Sequence, residues 1–127
     1  TDALWASESL AHYYGFKSLG TDAQALKLFQ DMVASAPEMG LLEAHRRVQH
    51  GDSRFYGLFY SRGASFWREV DGLISSAARG EKSLDNFLPL LLDGNFGENG
   101  ELPEAFLDPV AGVVNRDAFN RILEEYL

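Results

Sequence analysis

The sequence predicts an all-α protein, an irregular multi-helix bundle of about six to seven helices. Apolar residues recur at helical spacing in most segments, and capping residues or Gly and Pro breakers bound these segments. In contrast, no segment alternates polar and apolar residues for long enough to form a convincing strand. With a hydrophobic fraction of 46%, residues 1–127 suffice for one folded domain with a core of its own.

Two helices are predicted in the first third of the chain. The first runs from about Ala3 to Leu19, and Gly20 can adopt the left-handed conformation that ends it. Thr21 and Gln24 form a capping box for the second, whose apolar residues continue at helical spacing to the break at Pro37.

The middle of the chain predicts a short helix and a long one. The short helix spans Leu41 to Gln49, and the long helix covers roughly Tyr56 to Arg79, where Gly80 stops it. Aromatic side chains of this long helix and of the first helix are expected to form the core. Six residues share one face of the long helix: Tyr60, Gly63, Trp67, Val70, Asp71 and Ile74.

Shorter elements complete the predicted bundle. Ser83 caps a helix that continues to about Leu92, and the Gly- and Asn-rich residues 93–101 form turns. Pro103 opens another short helix, which the Asp108–Pro109 pair is expected to interrupt. Asn115 caps the last helix, which packs inward through Phe119, Ile122, Leu123 and Tyr126.

Charge and composition exclude several classes of partner. A formal net charge of -8 would repel a phosphate backbone, and Lys and Arg form no dense run, so neither nucleic acid nor an anionic membrane is expected as a partner. No apolar stretch approaches the roughly 20 residues that span a bilayer, which predicts a soluble chain without a transmembrane segment. Cysteine is absent, which excludes disulfides and thiolate metal sites and leaves the compartment open.

Glu8 is the first candidate site residue, because it lies on a mostly apolar face of the first helix. Its neighbours three and four positions away are Leu4, Trp5, Ala11 and His12. A buried carboxylate needs a proton, a basic partner or a metal ion, since burying it unpaired costs several kcal/mol. The alternative is that this face is only partly buried and that Glu8 reaches water.

Three runs of the sequence match the pattern of a known family. They are WASESLAHYYG (residues 5–15), FYSRGA (59–64) and GEKSLDNFL (80–88). In this order they resemble the W-x-x-E-G-hydrophobic-x-x-Y-Y-G, Y-Y-E-K-G-A and G-x-K-S-L-D-D-F-L motifs of glycyl aminopeptidase-like zinc metallopeptidases, which belong to the gluzincin clan. Residues 112–126 are similar, by apolar spacing, to the helix that closes that catalytic domain. The resemblance implies that residues 1–127 are its C-terminal, helical portion.

The resemblance also implies roles for individual residues. Glu8 matches the third zinc ligand, and Tyr60 matches the tyrosine whose hydroxyl stabilises the oxyanion, an effect worth about 3 kcal/mol of barrier. His12, Trp5 and Gly63 would line the substrate cleft or support the ligand. The implied function is hydrolysis of N-terminal peptide bonds by the full-length parent, with zinc as cofactor, a peptide as substrate and the rest of the same catalytic domain as partner.

Two features separate this chain from the family pattern. Ser9 replaces the glycine that follows the ligand, and Ser61-Arg62 replaces a Glu-Lys pair, so local packing and substrate contacts can differ. A catalytic zinc site takes three protein ligands, and this sequence begins only seven residues before Glu8. We therefore expect the two histidine ligands upstream, and we expect this chain alone to hold no zinc and to be inactive.

Other polar residues fit ordinary roles. For His12, the residue pattern alone favours an ordinary partly buried or solvated histidine over a role in the substrate cleft. His45 and His50 diverge around their helix, which disfavours a shared metal site. Glu43 and Asp71 are expected to be surface or N-terminal-turn charges.

A non-catalytic interpretation stays open, either a helical interaction module or a pseudoenzyme relative that kept the fold. In the enzyme interpretation, the missing wall of the cleft would leave an exposed apolar patch near Trp5, Tyr60 and Trp67, with a tendency to self-associate. An H-E-x-x-H motif upstream of Glu8 in the parent sequence would favour the enzyme.

Overall fold

The computed structural model describes residues 3–18 and 39–127, and of residues 16 and 18 it describes the backbone. Within these ranges the predicted all-α class is confirmed. The α-helices are α1 (Leu4–Ser18), α2 (Leu41–Gln49), α3 (Gly57–Ala77), α4 (Leu88–Leu92), α5 (Glu104–Ala111) and α6 (Arg116–Tyr126), joined by 3-10 turns at Ser53–Phe55 and Leu84–Asn86. None of these helices combines the length and apolarity needed to cross a membrane. The predicted helix from Thr21 to Pro37 lies outside the described residues.

Helix α3 is the centre of the bundle, with α1 packed along it and α2 and α6 against its flanks. Trp5 of α1 stacks on Trp67 of α3 with ring centroids 5.9 Å apart, and Phe66 meets both indole rings edge-on. All three side chains are fully buried. Removing one such aromatic from a core typically costs about 3–5 kcal/mol. The prediction that aromatic residues of these two helices form the core is confirmed.

Most helix ends follow the predicted caps and breakers. At the start of α6, Asn115 Oδ1 accepts the Ala118 N–H at 3.0 Å. Helix α3 ends at Ala77, and three residues later Gly80 adopts a φ of 80° and its N–H reaches the Ser75 carbonyl at 2.8 Å. Each of these bonds satisfies a backbone group that the helix itself leaves unpaired. Local sequence signals therefore fix these boundaries.

The predicted single helix from Ser83 to Leu92 is wrong, because it consists of two elements. The 3-10 turn Leu84–Asn86 comes first, and α4 begins only at Leu88. Pro89 explains the break. It has no N–H to give to the Asp85 carbonyl, and in a continuous helix its ring would clash with that carbonyl.

The predicted interruption at Asp108–Pro109 is also wrong, because α5 continues through Pro109 to Ala111. Phe106 and Val110, before and after the proline, are fully buried. Pro109 removes one helical hydrogen bond, but the burial of Phe106 and Val110 stabilises the helical turn that contains it.

Candidate active site

Glu8 and Tyr60 meet at the edge of the interface between α1 and α3. Tyr60 Oη donates a hydrogen bond to Glu8 Oε2 at 2.9 Å, although the two residues are 52 positions apart in the chain. Both side chains are half-buried. Within residues 3–18 and 39–127, the other carboxylate oxygen of Glu8 accepts no hydrogen bond. The two residues that sequence analysis assigned to one site are therefore neighbours.

The hydrogen bond to Glu8 also makes the Tyr60 phenol harder to ionise. This bond raises the pKa of the Tyr60 phenol, and burial and the neighbouring Tyr56 act in the same direction. Ionising the phenol would remove a donor and place two negative charges side by side. Tyr60 is therefore a neutral hydrogen-bond donor across the physiological pH range.

His12 lies one turn after Glu8 on α1 and faces the same pair. Its ring centroid is 5.3 Å from that of Tyr60, and the two planes are tilted by 59°. Burial lowers the pKa of His12, which favours the neutral imidazole. The structure thus brings Glu8, His12 and Tyr60 into one cluster.

Trp5 lies in the core and does not line an open cleft. Its side chain is fully buried, and its indole N–H donates to the Gly100 carbonyl at 2.8 Å. Trp67 is fully buried as well. The expectation of an exposed apolar patch near Trp5, Tyr60 and Trp67 is therefore wrong for the described part of the chain, because both indoles are covered by neighbouring aromatic and loop residues.

Open apolar surface lies instead between α1 and α4. A groove of about 380 Å³ is lined there mainly by apolar side chains: Ser7, Leu10, Ala11, Tyr14, Leu88 and Leu92. Leu92 is 59% exposed at its rim, the most exposed large apolar side chain among the described residues.

Gly63 is buried and contacts the residue that follows Glu8. A Cβ atom at Gly63 would lie 2.5 Å from Ser9 Cβ, which is closer than real side chains approach. Ser9, the departure from the family motif, is fully buried and its Oγ accepts the Trp67 indole N–H at 2.8 Å. Gly63 therefore supports the site through backbone approach and presents no side chain to a substrate.

Glu8 can supply one ligand of a zinc site, but the described residues around it do not supply the other ligands. No group of three or more His, Cys, Asp or Glu residues that could hold a metal ion occurs in the described ranges. A catalytic zinc ion takes three protein ligands. Glu8 itself suits the role of one ligand, since a hydroxyl donor orients its carboxylate and one oxygen is not engaged by described residues.

Comparisons with known proteins assign no family to this arrangement. No family model, curated protein or solved structure matches the chain. The roles of Glu8 and Tyr60 consequently rest on the resemblance of the motifs and on the geometry of the two side chains.

Asp71 forms a second polar centre that sequence analysis missed. Its expected place at the surface is wrong, because the side chain is buried at the α1–α3 interface. Asp71 accepts the Tyr13 hydroxyl at 2.5 Å, the Lys17 ammonium at 2.9 Å and the Leu84 backbone N–H at 2.9 Å. Burial alone would raise the pKa of Asp71, but these three donors outweigh it and lower the pKa below its ordinary value.

One signal in the sequence pointed to Asp71. It lies on the core face of the long helix, four positions after Trp67 and three before Ile74, and both of these residues are fully buried. A carboxylate on such a face needs partners, which is the argument that singled out Glu8.

Glu43 was expected to be a surface or N-terminal-turn charge, and this is confirmed. In contrast, His45 is more buried than an ordinary surface histidine. Glu43 lies in the first turn of α2 and pairs with Arg46 and Arg47, whose hydrogen bonds lower its pKa to about 2. His45 is 2% exposed, and its Nδ1 makes no hydrogen bond to any described residue. Burial lowers the pKa of His45, partly opposed by Glu101.

Proposed function

We propose that this chain is the helical part of the catalytic domain of a zinc-dependent aminopeptidase. Glu8 supplies one zinc ligand, and Tyr60 donates its hydroxyl to the oxyanion of the substrate. The observation that carries the proposal is the 2.9 Å hydrogen bond between Tyr60 Oη and Glu8 Oε2. It supports a single site to which α1 brings a carboxylate and α3 brings a neutral donor.

In the proposed peptide hydrolysis, the metal ion and the residues of this chain have separate roles. Bound zinc supplies polarisation of a water molecule and of the scissile carbonyl. Glu8 offers a carboxylate oxygen as ligand and orients the Tyr60 hydroxyl. Tyr60 keeps its proton, and with substrate bound this single donor would turn from Glu8 to the oxygen on which negative charge develops. Two histidine ligands and a general-base glutamate from other parts of the parent protein complete the proposed site.

Zinc binding by the parent protein tests the role of Glu8. Glu8→Gln keeps an oxygen acceptor for the Tyr60 hydroxyl but removes the charge, so we expect zinc affinity to fall at least about tenfold. The measurement is zinc content after dialysis against a competing chelator. Glu124→Gln, on the exposed face of α6, is the matched control and should retain zinc. Equal zinc content in both variants would remove Glu8 from the ligand set.

Peptidase activity of the same parent protein tests the role of Tyr60. Tyr60→Phe removes only the hydroxyl, and we expect kcat to fall about 10²–10³-fold when activity is compared at saturating zinc. Tyr14→Phe is the control, because the Tyr14 hydroxyl bonds to the exposed Asp85 instead. Full activity of the Tyr60 variant would rule out the oxyanion role.

The second candidate function is a non-catalytic helical module or a pseudoenzyme relative. The burial of Trp5 and Trp67 favours it, since a cleft with a missing wall would leave part of these indoles exposed. In that case the Tyr60–Glu8 bond is purely structural. The parent sequence upstream of Glu8 discriminates between the two, because a pseudoenzyme would lack the histidines of H-E-x-x-H and the parent would bind no zinc.

A further inference from the structure

The backbones of α1 and α3 approach each other most closely beside the Glu8–Tyr60 pair. Ser9 directly follows Glu8 on α1, and Gly63 comes one turn after Tyr60 on α3. A Cβ atom on Gly63 would lie 2.5 Å from Ser9 Cβ and 3.2 Å from Ser9 Oγ. Glycine is therefore required at position 63 for the observed separation of the two helices, because any larger residue would push the backbones apart.

A hydrogen bond fixes the same contact one turn further along α3. Trp67 Nε1 donates to Ser9 Oγ at 2.8 Å, and Ser9 Oγ in turn donates to the Ala6 carbonyl at 3.2 Å. Ser9 and Trp67 both have 0% exposure, so water cannot replace either partner. This bond holds the Trp67 indole of α3 against Ser9 of α1. It therefore limits sliding and rotation of one helix against the other.

We infer that Ser9, Gly63 and Trp67 are positioning residues, which hold Glu8 and Tyr60 at hydrogen-bonding distance. The inference rests on the proposed function for its catalytic meaning. Helices move as stiff elements, so a shift at Gly63 displaces Tyr60 on the same side of α3. A hydrogen bond tolerates only a few tenths of an ångström of such displacement before it is lost.

Gly63→Ala in the chain of residues 1–127 tests the inference. We expect the cross-relaxation signal between the Tyr60 ring and the Glu8 side chain, measured by NMR, to fall several-fold, because the added methyl group meets Ser9. Adding Ser9→Gly removes both Ser9 atoms nearest to that methyl group but also the acceptor of the Trp67 indole, so the double variant should regain only part of the signal. Gly72→Ala is the matched control on α3, since nothing lies within 4 Å of its Cβ position.

Two results would overturn the inference. One is a folded Gly63→Ala variant that keeps the Tyr60–Glu8 signal at its original strength. The other is a double variant that gives no more signal than Gly63→Ala alone or does not fold. If Gly63→Ala fails to fold while the double variant folds and shows the signal, the result supports the inference, since it locates the conflict at Ser9.

Activity in the parent protein separates this inference from the proposed function. In an active parent, Gly63→Ala should lower kcat with little change in KM and zinc content, and Ser9→Gly should restore part of it. A parent without activity or zinc would refute the proposed function, whereas the NMR comparison would still decide whether Ser9 and Gly63 position the pair.

Discussion

Two carboxylates at the α1–α3 interface lie in opposite environments. Among the described residues, three donors reach the buried Asp71, whereas one, Tyr60, reaches the half-buried Glu8. A carboxylate whose lone pairs are already used gains little from a further partner, whereas one with an unused oxygen can still coordinate. This difference separates the structural role of Asp71 from the ligand role proposed for Glu8.

Asp71→Asn should destabilise the fold markedly. The amide keeps the shape but loses the charge that Tyr13 and Lys17 bond to, so we expect a loss of about 1.5–3 kcal/mol in the free energy of unfolding. Urea unfolding followed by circular dichroism measures it. The control is Asp85→Asn, since Asp85 is 60% exposed and surface pairs contribute at most about 1 kcal/mol. Equal losses in the two variants would contradict the structural role of Asp71.

The sequence motifs anticipated the proximity of Glu8 and Tyr60 better than the surroundings of the two residues. The motifs placed Glu8 and Tyr60 together, and the hydrogen bond between them agrees with that placement. The partners of Asp71 could not be predicted, because Tyr13 lies 58 positions away and the pairing depends on how α1 packs on α3. Spacing along one helix shows which face a residue occupies, but not which distant side chain covers it.

At the scale of elements, caps and breakers decide where the helices begin and end. Asn115 illustrates this, because its side chain satisfies the Ala118 N–H in the first turn of α6. Asn115→Ala should therefore cost about 1 kcal/mol of unfolding free energy. Asn120→Ala, at an exposed position within the same helix, should be neutral or slightly stabilising, since Ala favours helix more than Asn. A comparison of urea midpoints checks both, and a larger loss in the Asn120 variant would exclude the cap.

The two proline errors show where local signals stop being sufficient. Pro89 divides a predicted helix and Pro109 fails to divide another, although both rings lie on the exposed side of their helices. Near Pro89, the amide of Leu84 bonds to Asp71 of another helix, which stabilises a separate 3-10 turn. Around Pro109, buried Phe106 and Val110 keep the helix continuous. Tertiary contacts therefore decide the outcome at Pro109, whereas at Pro89 they add to the break that the missing N–H imposes.

At the scale of the whole molecule, Trp5 links the start of the described chain to the loop that contains Gly100. Its indole donates to the carbonyl of Gly100, 95 positions away. A Cβ atom on Gly100, whose φ is 86°, would lie 2.9 Å from the ring of His45 and 3.0 Å from the Trp5 indole nitrogen. This contact between α1, α2 and the loop covers the Trp5 indole, so in the described part of the chain Trp5 does not contribute to the predicted exposed patch.

Burial of His45 in this closed core makes the stability of the molecule depend on pH. Because its pKa is lowered from the ordinary value of 6.5, the folded state takes up a proton less readily than the unfolded chain. The contribution of His45 to stability is therefore complete above pH 6.5 and is lost as the pH falls through the folded pKa. Asp71, with a pKa lowered from 3.8, adds a further loss only below about pH 4.

We therefore predict a decline of the unfolding free energy below pH 6.5 that depends on His45. One buried histidine contributes a slope of up to about 1.4 kcal/mol per pH unit, and His12 adds in the same direction because burial lowers its pKa too. Urea unfolding between pH 5 and pH 8 measures the slope. His45→Gln should reduce it, whereas His50→Gln, at an exposed position, should leave it unchanged. An unaltered slope in the His45 variant would mean that the imidazole is hydrated, and that the contact with Gly100 does not seal the core.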